Sequence, residues 1–208
     1  MRIKIFVTPG MEENCYVIIC METKKAIVVD PGADMQELFD FIKNEDLTVE
    51  AIVLTHAHYD HIGGLKRLKA ETQAPVVCGE DEAPVLEEPN LNLSLMFGAE
   101  PFSMTADRLL KDGEEFSFGS LKFKTLFTPG HTQGGICLYF EEQSLLISGD
   151  SLFAMSIGRT DFPGGGYRTL INGLKEKVMT LPDDTVVYPG HGPKTSIAVE
   201  KKHNPYLG

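Results

Sequence analysis

Between residues 55 and 61 the chain reads Thr-His-Ala-His-Tyr-Asp-His, which puts three imidazoles and a carboxylate directly after the apolar run Ala51-Ile52-Val53-Leu54. Side chains of these types at this density point to a metal, because buried imidazoles would otherwise each need hydrogen-bond partners in the core. Only six histidines occur in the chain. Two of the other three follow Pro-Gly pairs, in Thr128-Pro129-Gly130-His131 and Tyr188-Pro189-Gly190-His191. His203 has no such setting and is read as structural or surface-exposed.

With Asp150, seven candidate ligands are available: His56, His58, Asp60, His61, His131, Asp150 and His191. A catalytic zinc ordinarily takes three protein ligands and water, so seven donors imply two metals sharing one carboxylate. Asp150 is the expected bridge, since two oxygens can span cations about 3.5–4 Å apart. His56 and His58 would turn toward one ion, and Asp60 and His61 toward the other. Two divalent ions would bring the pKa of a bridging water toward neutrality and so supply a hydroxide nucleophile. Asp60 would orient that nucleophile, which makes it the expected catalytic residue as well as a ligand. Nitrogen and oxygen donors without sulfur suit zinc first, and iron or manganese accept the same set.

Apolar strands must deliver these groups. Strands read at 51–55, 121–127, 144–148 and 185–188 each end just before a candidate ligand, so four strand ends converge on one edge of the fold. Strand ends are rigid anchors, and Pro-Gly turns let the backbone veer so that short side chains aim inward. Further strands are read at 3–8, 15–20, 26–29, 75–78, 116–118 and 136–140. Helices are read at 34–45, from Ile62 to about Ala70, and at about 167–180. Residues 156–166 form a Gly-rich loop, and 84–107 an irregular insertion that would cap the site or form an interface. The β-rich order with interspersed helices predicts two packed mixed sheets flanked by helices, an α+β or αββα sandwich in one domain spanning 1–208.

Composition narrows the partners. The 208 residues carry a formal net charge of -11, with 42% hydrophobic and 24% charged residues. Nucleic-acid binders need a basic face, so a small-molecule substrate is expected and a nucleic acid is not. No run reaches the ~18 apolar residues of a membrane span. The N-terminal Met1-Arg2-Ile3-Lys4-Ile5 stretch alternates like a strand and lacks a signal-peptide pattern. The four dispersed cysteines read as buried free thiols, which suits a reducing cytoplasm.

The His56-x-His58-x-Asp60-His61 run, followed in order by His131, Asp150 and His191, resembles the metallo-β-lactamase superfamily over nearly the full chain. That resemblance implies that His56, His58 and His131 hold one metal and Asp60, His61 and His191 the other, with Asp150 between them. Asp30 matches the family's early aspartate, a supporting residue. The segments Gly149-Asp150-Ser151-Leu152-Phe153, Gly158-Arg159-Thr160-Asp161-Phe162 and Tyr188-Pro189-Gly190-His191-Gly192-Pro193 resemble short glyoxalase-II-like (hydroxyacylglutathione) hydrolases. The function implied is hydrolysis of a thioester such as S-lactoylglutathione by the metal-bridging hydroxide. Persulfide dioxygenases, with one iron on the same fold, share the Gly-Arg-Thr-Asp-Phe run. They typically carry Asp-Tyr where this chain has Gly192-Pro193, which favours the hydrolase. Lactonases share the first motif, and a binding scaffold would be expected to have lost ligands. True class B β-lactamases generally use a cysteine in the second site, and none stands at a comparable strand end here, so β-lactam hydrolysis is not expected. Classical glyoxalase II has a C-terminal helical domain with cationic contacts to glutathione, for which the 17 residues after His191 leave no room. Phe153, Met155 and Phe162 are expected to line an acyl pocket, and Arg159 either meets an anionic substrate or braces its loop through Asp161.

Overall fold

A computed structural model describes residues 1–96 and 100–207, so residues 97–99 of the 84–107 insertion lie outside the described residues. Two six-stranded mixed sheets form its centre, in the orders β1-β2-β3-β4-β5-β6 and β14-β13-β10-β9-β8-β7. The first comprises β1 (Arg2–Val7), β2 (Asn14–Ile19), β3 (Lys25–Val29), β4 (Thr48–Val53), β5 (Val76–Gly79) and β6 (Arg108–Leu110). From β3 onward its neighbours run parallel. The second comprises β7 (Glu115–Phe118), β8 (Leu121–Phe127), β9 (Ile136–Phe140), β10 (Leu145–Gly149), β13 (Val186–Pro189) and β14 (Thr195–Ser196). A small hairpin, β11 (Leu152–Phe153) and β12 (Ser156–Ile157), stands apart from both.

Three apolar layers explain this order. Ile18, Ile27, Val53, Phe123, Leu138 and Ile147 pack between the sheets. Val17, Val28 and Ile52, on the other face of the first sheet, pack against Leu38 of α1 (Gln36–Asn44) and Leu65 of α3 (Leu65–Thr72). Cys137, Leu146 and Val187 on the outer face of the second sheet meet Leu170 of α5 (Tyr167–Gly173) and Ile197 of α6 (Ile197–His203). Strands β2, β5, β9 and β10 are buried on both faces, which is why they read as continuous apolar runs and not as alternating ones. The expected αββα sandwich is therefore the observed architecture. Among the described residues no helix is long and apolar enough to cross a membrane.

Several boundaries differ from the sequence reading. The helix expected from Ile62 is two pieces, α2 (Tyr59–Ile62) and α3, broken at Gly63-Gly64. The 84–107 insertion opens with α4 (Ala83–Glu87) and is otherwise irregular among its described residues; β6, a strand absent from the sequence reading, follows it in the first sheet. The helix at 167–180 is α5 followed by a π-helical turn at Leu174–Val178.

Candidate metal centre

The His-x-His-x-Asp-His run leaves the carboxyl end of β4 and enters α2, and glycine decides how closely it can approach its neighbours. A β carbon on Gly32 would collide with the Asp60 carbonyl, and one on Gly63 with the Gly32 carbonyl. The turn after β3 and the start of α2 thus interlock backbone to backbone, a contact only glycine allows. Asp30, at φ 51° in the left-handed region, is delivered by that turn beside the cluster.

The structure brings all seven residues together. His56, His58 and His131 offer donor atoms within 4.8 Å of one another, and so do Asp60, His61 and His191. Asp150 stands between the two groups. Its Oδ1 is 3.4 Å from His61 Nε2, and its Oδ2 lies 3.6 Å from His131 Nε2 and 3.7 Å from His191 Nε2. Asp60 Oδ2 is 3.2 Å from His191 Nε2. His203, exposed at the end of α6, belongs to neither group.

Hydrogen bonds set which nitrogen of each ring is available. His131 Nδ1 is 2.7 Å from the Arg159 carbonyl, which can only accept, so Nδ1 donates and Nε2 keeps its lone pair. His61 Nδ1 donates to Asp30 Oδ2 at 3.1 Å by the same reasoning. Asp30 is itself held by the Thr55 amide at 2.7 Å and the Thr55 hydroxyl at 2.6 Å. Asp30 therefore orients a candidate ligand and does not merely end a strand. His191 is positioned from the first sheet: Asn14 Nδ2 donates to the carbonyls of Pro189 and Gly192, each at 3.0 Å, and the Tyr16 hydroxyl to Pro189 at 2.6 Å.

Three atoms that face the cluster, His56 Nε2, His61 Nε2 and Asp150 Oδ1, are buried and without a hydrogen-bond partner among the described residues, while His58 presents its Nδ1, 3.0 Å from His131 Nε2. Each such group costs about 1–3 kcal/mol. Three of them in one place, all good metal donors, fit divalent cations and fit a packed polar core poorly. Protonation agrees with this. Burial, aided by the neighbouring imidazoles, holds His56 well below its ordinary value, and burial followed by His131 brings His58 down to about 3. Burial lowers His131 as well. Neutral imidazoles are the form that ligates. Burial pushes Asp60 and Asp150 up, but His61 above all, with the other histidines, holds both below the carboxylate range. His61 is lifted well above its ordinary value by Asp150 and Asp60 despite burial, so the two carboxylates call for positive charge at this point.

A cavity of about 490 Å³ opens over the cluster, with His58, Asp60, His131, Asp150 and His191 exposed to it. Phe153, Ile157, Phe162, Leu93 and Pro193 form its apolar walls. Phe153 and Phe162 stand where the sequence placed them. Met155 is 46% exposed and is not part of the wall. Leu93 comes from the insertion, which therefore reaches the site; Asn92 anchors it by accepting the Tyr59 amide at 2.8 Å and donating to the Phe102 carbonyl at 2.8 Å. Arg159 pairs with Asp161 at 3.0 and 2.9 Å and stacks over Phe162 at 4.2 Å, which braces its loop, and it also lines the cavity.

Sequence reasoning passed over Glu82, Asn14 and Leu93. Their partners are distant in the chain, and no local spacing marks them. A fully buried Glu in an acidic Gly-Glu-Asp-Glu turn looks like a solvated face until the fold places it.

Known proteins resemble this chain along nearly its whole length. The family model described as Metallo-beta-lactamase superfamily matches residues 8–191. The hydroxyacylglutathione hydrolase GloC of Haemophilus influenzae is 34% identical, over 100% of this chain and 98% of its own. The crystal structure of BLEG-1 B3 metallo-beta-lactamase superposes with a TM-score of 0.93 at 38% identity, covering 99% of each chain. That of TTHA1623 in a di-iron-bound form gives 0.88 at 34% identity, covering 98% of this chain and 100% of the other.

Proposed function

From the premise that the chain belongs to the metallo-β-lactamase superfamily, among its metallo-hydrolases, we propose that it is a dinuclear thioester hydrolase with S-lactoylglutathione as a representative substrate. His56, His58 and His131 would hold one divalent ion and Asp60, His61 and His191 the other, with Asp150 shared. Zinc is the first choice for these donors, with iron and manganese as alternatives. Such ions supply an activated water at neutral pH and polarise the substrate carbonyl.

The chain's own residues do the rest. Asp60, ionised and open to the cavity, accepts a hydrogen bond from the attacking water and aims it. The apolar wall of Phe153, Ile157 and Phe162 seats the acyl group and keeps bulk water away. Asp30 and the Arg159 carbonyl hold His61 and His131 in the ligating tautomer.

One observation carries the choice of a thioester. Among the described residues lining the cavity, every ionisable side chain except the Arg159 guanidinium belongs to the candidate ligand set, so no separate acid stands ready for a leaving group. A thiolate leaves without protonation, whereas an amine does not. The likeness to GloC supports the same reading. The Gly192-Pro193 pair after His191 favours hydrolysis over persulfide oxidation, and the likeness to BLEG-1 requires a β-lactam in the test.

The test is turnover by metal-replete protein of S-lactoylglutathione, an alkyl thioester, a lactone and a cephalosporin. Thioester hydrolysis is expected to exceed the others and to be lost in Asp60→Ala. Preferential turnover of the lactone or the β-lactam, or oxygen consumption with a glutathione persulfide, would contradict the proposal.

A further inference from the structure

Glu82 lies outside the candidate ligand set and is completely buried. Its Oε1 accepts the amide of Ala57, the residue between His56 and His58, at 2.8 Å. Its Oε2 accepts the hydroxyl of Thr132, the residue after His131, at 2.7 Å, and the amide of Gly134 at 3.0 Å. One carboxylate thus joins the turn that follows β4 to the loop that follows β8, two segments from different sheets.

A second observation shows how closely these pieces are fitted. A β carbon on Gly134 would collide with the Glu82 amide, and one on Gly79 would come within 2.7 Å of the Gly134 carbonyl. Gln133 Nε2 donates to the Asp81 carbonyl at 3.0 Å, closing the same clasp from outside. Residues 79–82 therefore form a bracket on which the 131–135 loop is seated.

Two candidate ligands of the other half are braced elsewhere. His61 is held by Asp30 and Thr55, and the His191 loop by Asn14 and Tyr16. No hydrogen bond from Glu82 reaches either of these braces among the described residues.

We infer that Glu82 is a positioning residue for one metal of the pair: it fixes the spacing of His56 and His58 against His131 and so sets the affinity of that half of the centre, leaving the half built on Asp60, His61 and His191 largely untouched. The inference rests on the ligand assignment above and not on the choice of substrate. Replacing a group that orients a metal ligand typically costs about 10–100-fold in affinity.

The experiment strips the full-length protein of metal and titrates zinc back against a chromophoric chelator, for wild type, Glu82→Gln and Thr132→Val. Cobalt spectra of each variant at one and two equivalents give a readout independent of activity. Glu82→Gln is expected to weaken one of the two sites about 10–100-fold and the other less than about threefold. Thr132→Val should weaken the same site by a smaller factor, and the double variant should show no more than Glu82→Gln alone, since both remove the same clasp. If Glu82→Gln fails to fold, Thr132→Val alone should still weaken one site selectively. Equal weakening of both sites, or none, would overturn the inference, as would wild type that binds no second metal. The result stands apart from the thioesterase reading, because a protein inactive on thioesters can still bind two metals with unequal sensitivity to Glu82.

Discussion

At the scale of single residues, the centre depends on side chains that never meet a substrate. Asp30 accepts three hydrogen bonds, from the Thr55 amide, the Thr55 hydroxyl and His61 Nδ1. Asp30→Asn keeps the shape but removes an acceptor, so zinc affinity measured by chelator competition should fall about 10–100-fold while the far-UV circular dichroism stays unchanged. Unchanged affinity would mean that His61 needs no orienting partner. Glu82 adds a dependence on pH. Burial raises its carboxyl to about 7 from 4.5, against the three hydrogen bonds that lower it. The folded protein therefore holds this proton more tightly than the unfolded chain does, so its contribution to stability is full below pH 4.5 and is lost as pH rises to about 7. Denaturant unfolding of metal-free protein should show a shallower fall across that window in Glu82→Gln than in wild type. Parallel curves would contradict the assignment.

At the scale of elements, the site is made by strand ends and by the glycines that let turns interlock. Gly63→Ala puts a methyl group against the Gly32 carbonyl, and such overpacking costs about 1–3 kcal/mol. The variant should unfold at lower denaturant and bind metal more weakly, since α2 carries Asp60 and His61. A wild-type midpoint would show that the turn yields easily. This level also shows what the sequence could and could not convey. The four strand ends that carry the candidate ligands were legible because β4, β8, β10 and β13 each combine an apolar run with a histidine or aspartate just beyond it. The close approach of Gly63 and Gly64 to the carbonyls of Gly32 and Ala33 was not, because those partners lie some thirty residues earlier in the chain. β6 and α4 escaped for a related reason: each is short, and pairing or packing with distant parts of the chain stabilises it more than its own pattern does. Glu82 and Asn14 were hidden because a buried side chain that bonds a remote amide or carbonyl leaves no period to read.

At the scale of the whole molecule, an acidic protein with a net charge of -11 presents a cleft whose floor gathers imidazoles and carboxylates around space for cations. Three apolar layers hold the sandwich together independently of that floor. Chelation should therefore leave secondary structure intact and lower the melting temperature, because metal bound only by the folded state stabilises it by mass action. Loss of the far-UV signal on chelation would instead make the metal part of the fold. In the proposed function two metals, held by seven residues that follow four strand ends, together support thioester hydrolysis. The most direct measurement is metal content and S-lactoylglutathione turnover on the same samples as metal is returned to stripped protein. Activity should reach its plateau at two metals per chain. A plateau at one metal, or turnover that ignores metal content, would contradict it.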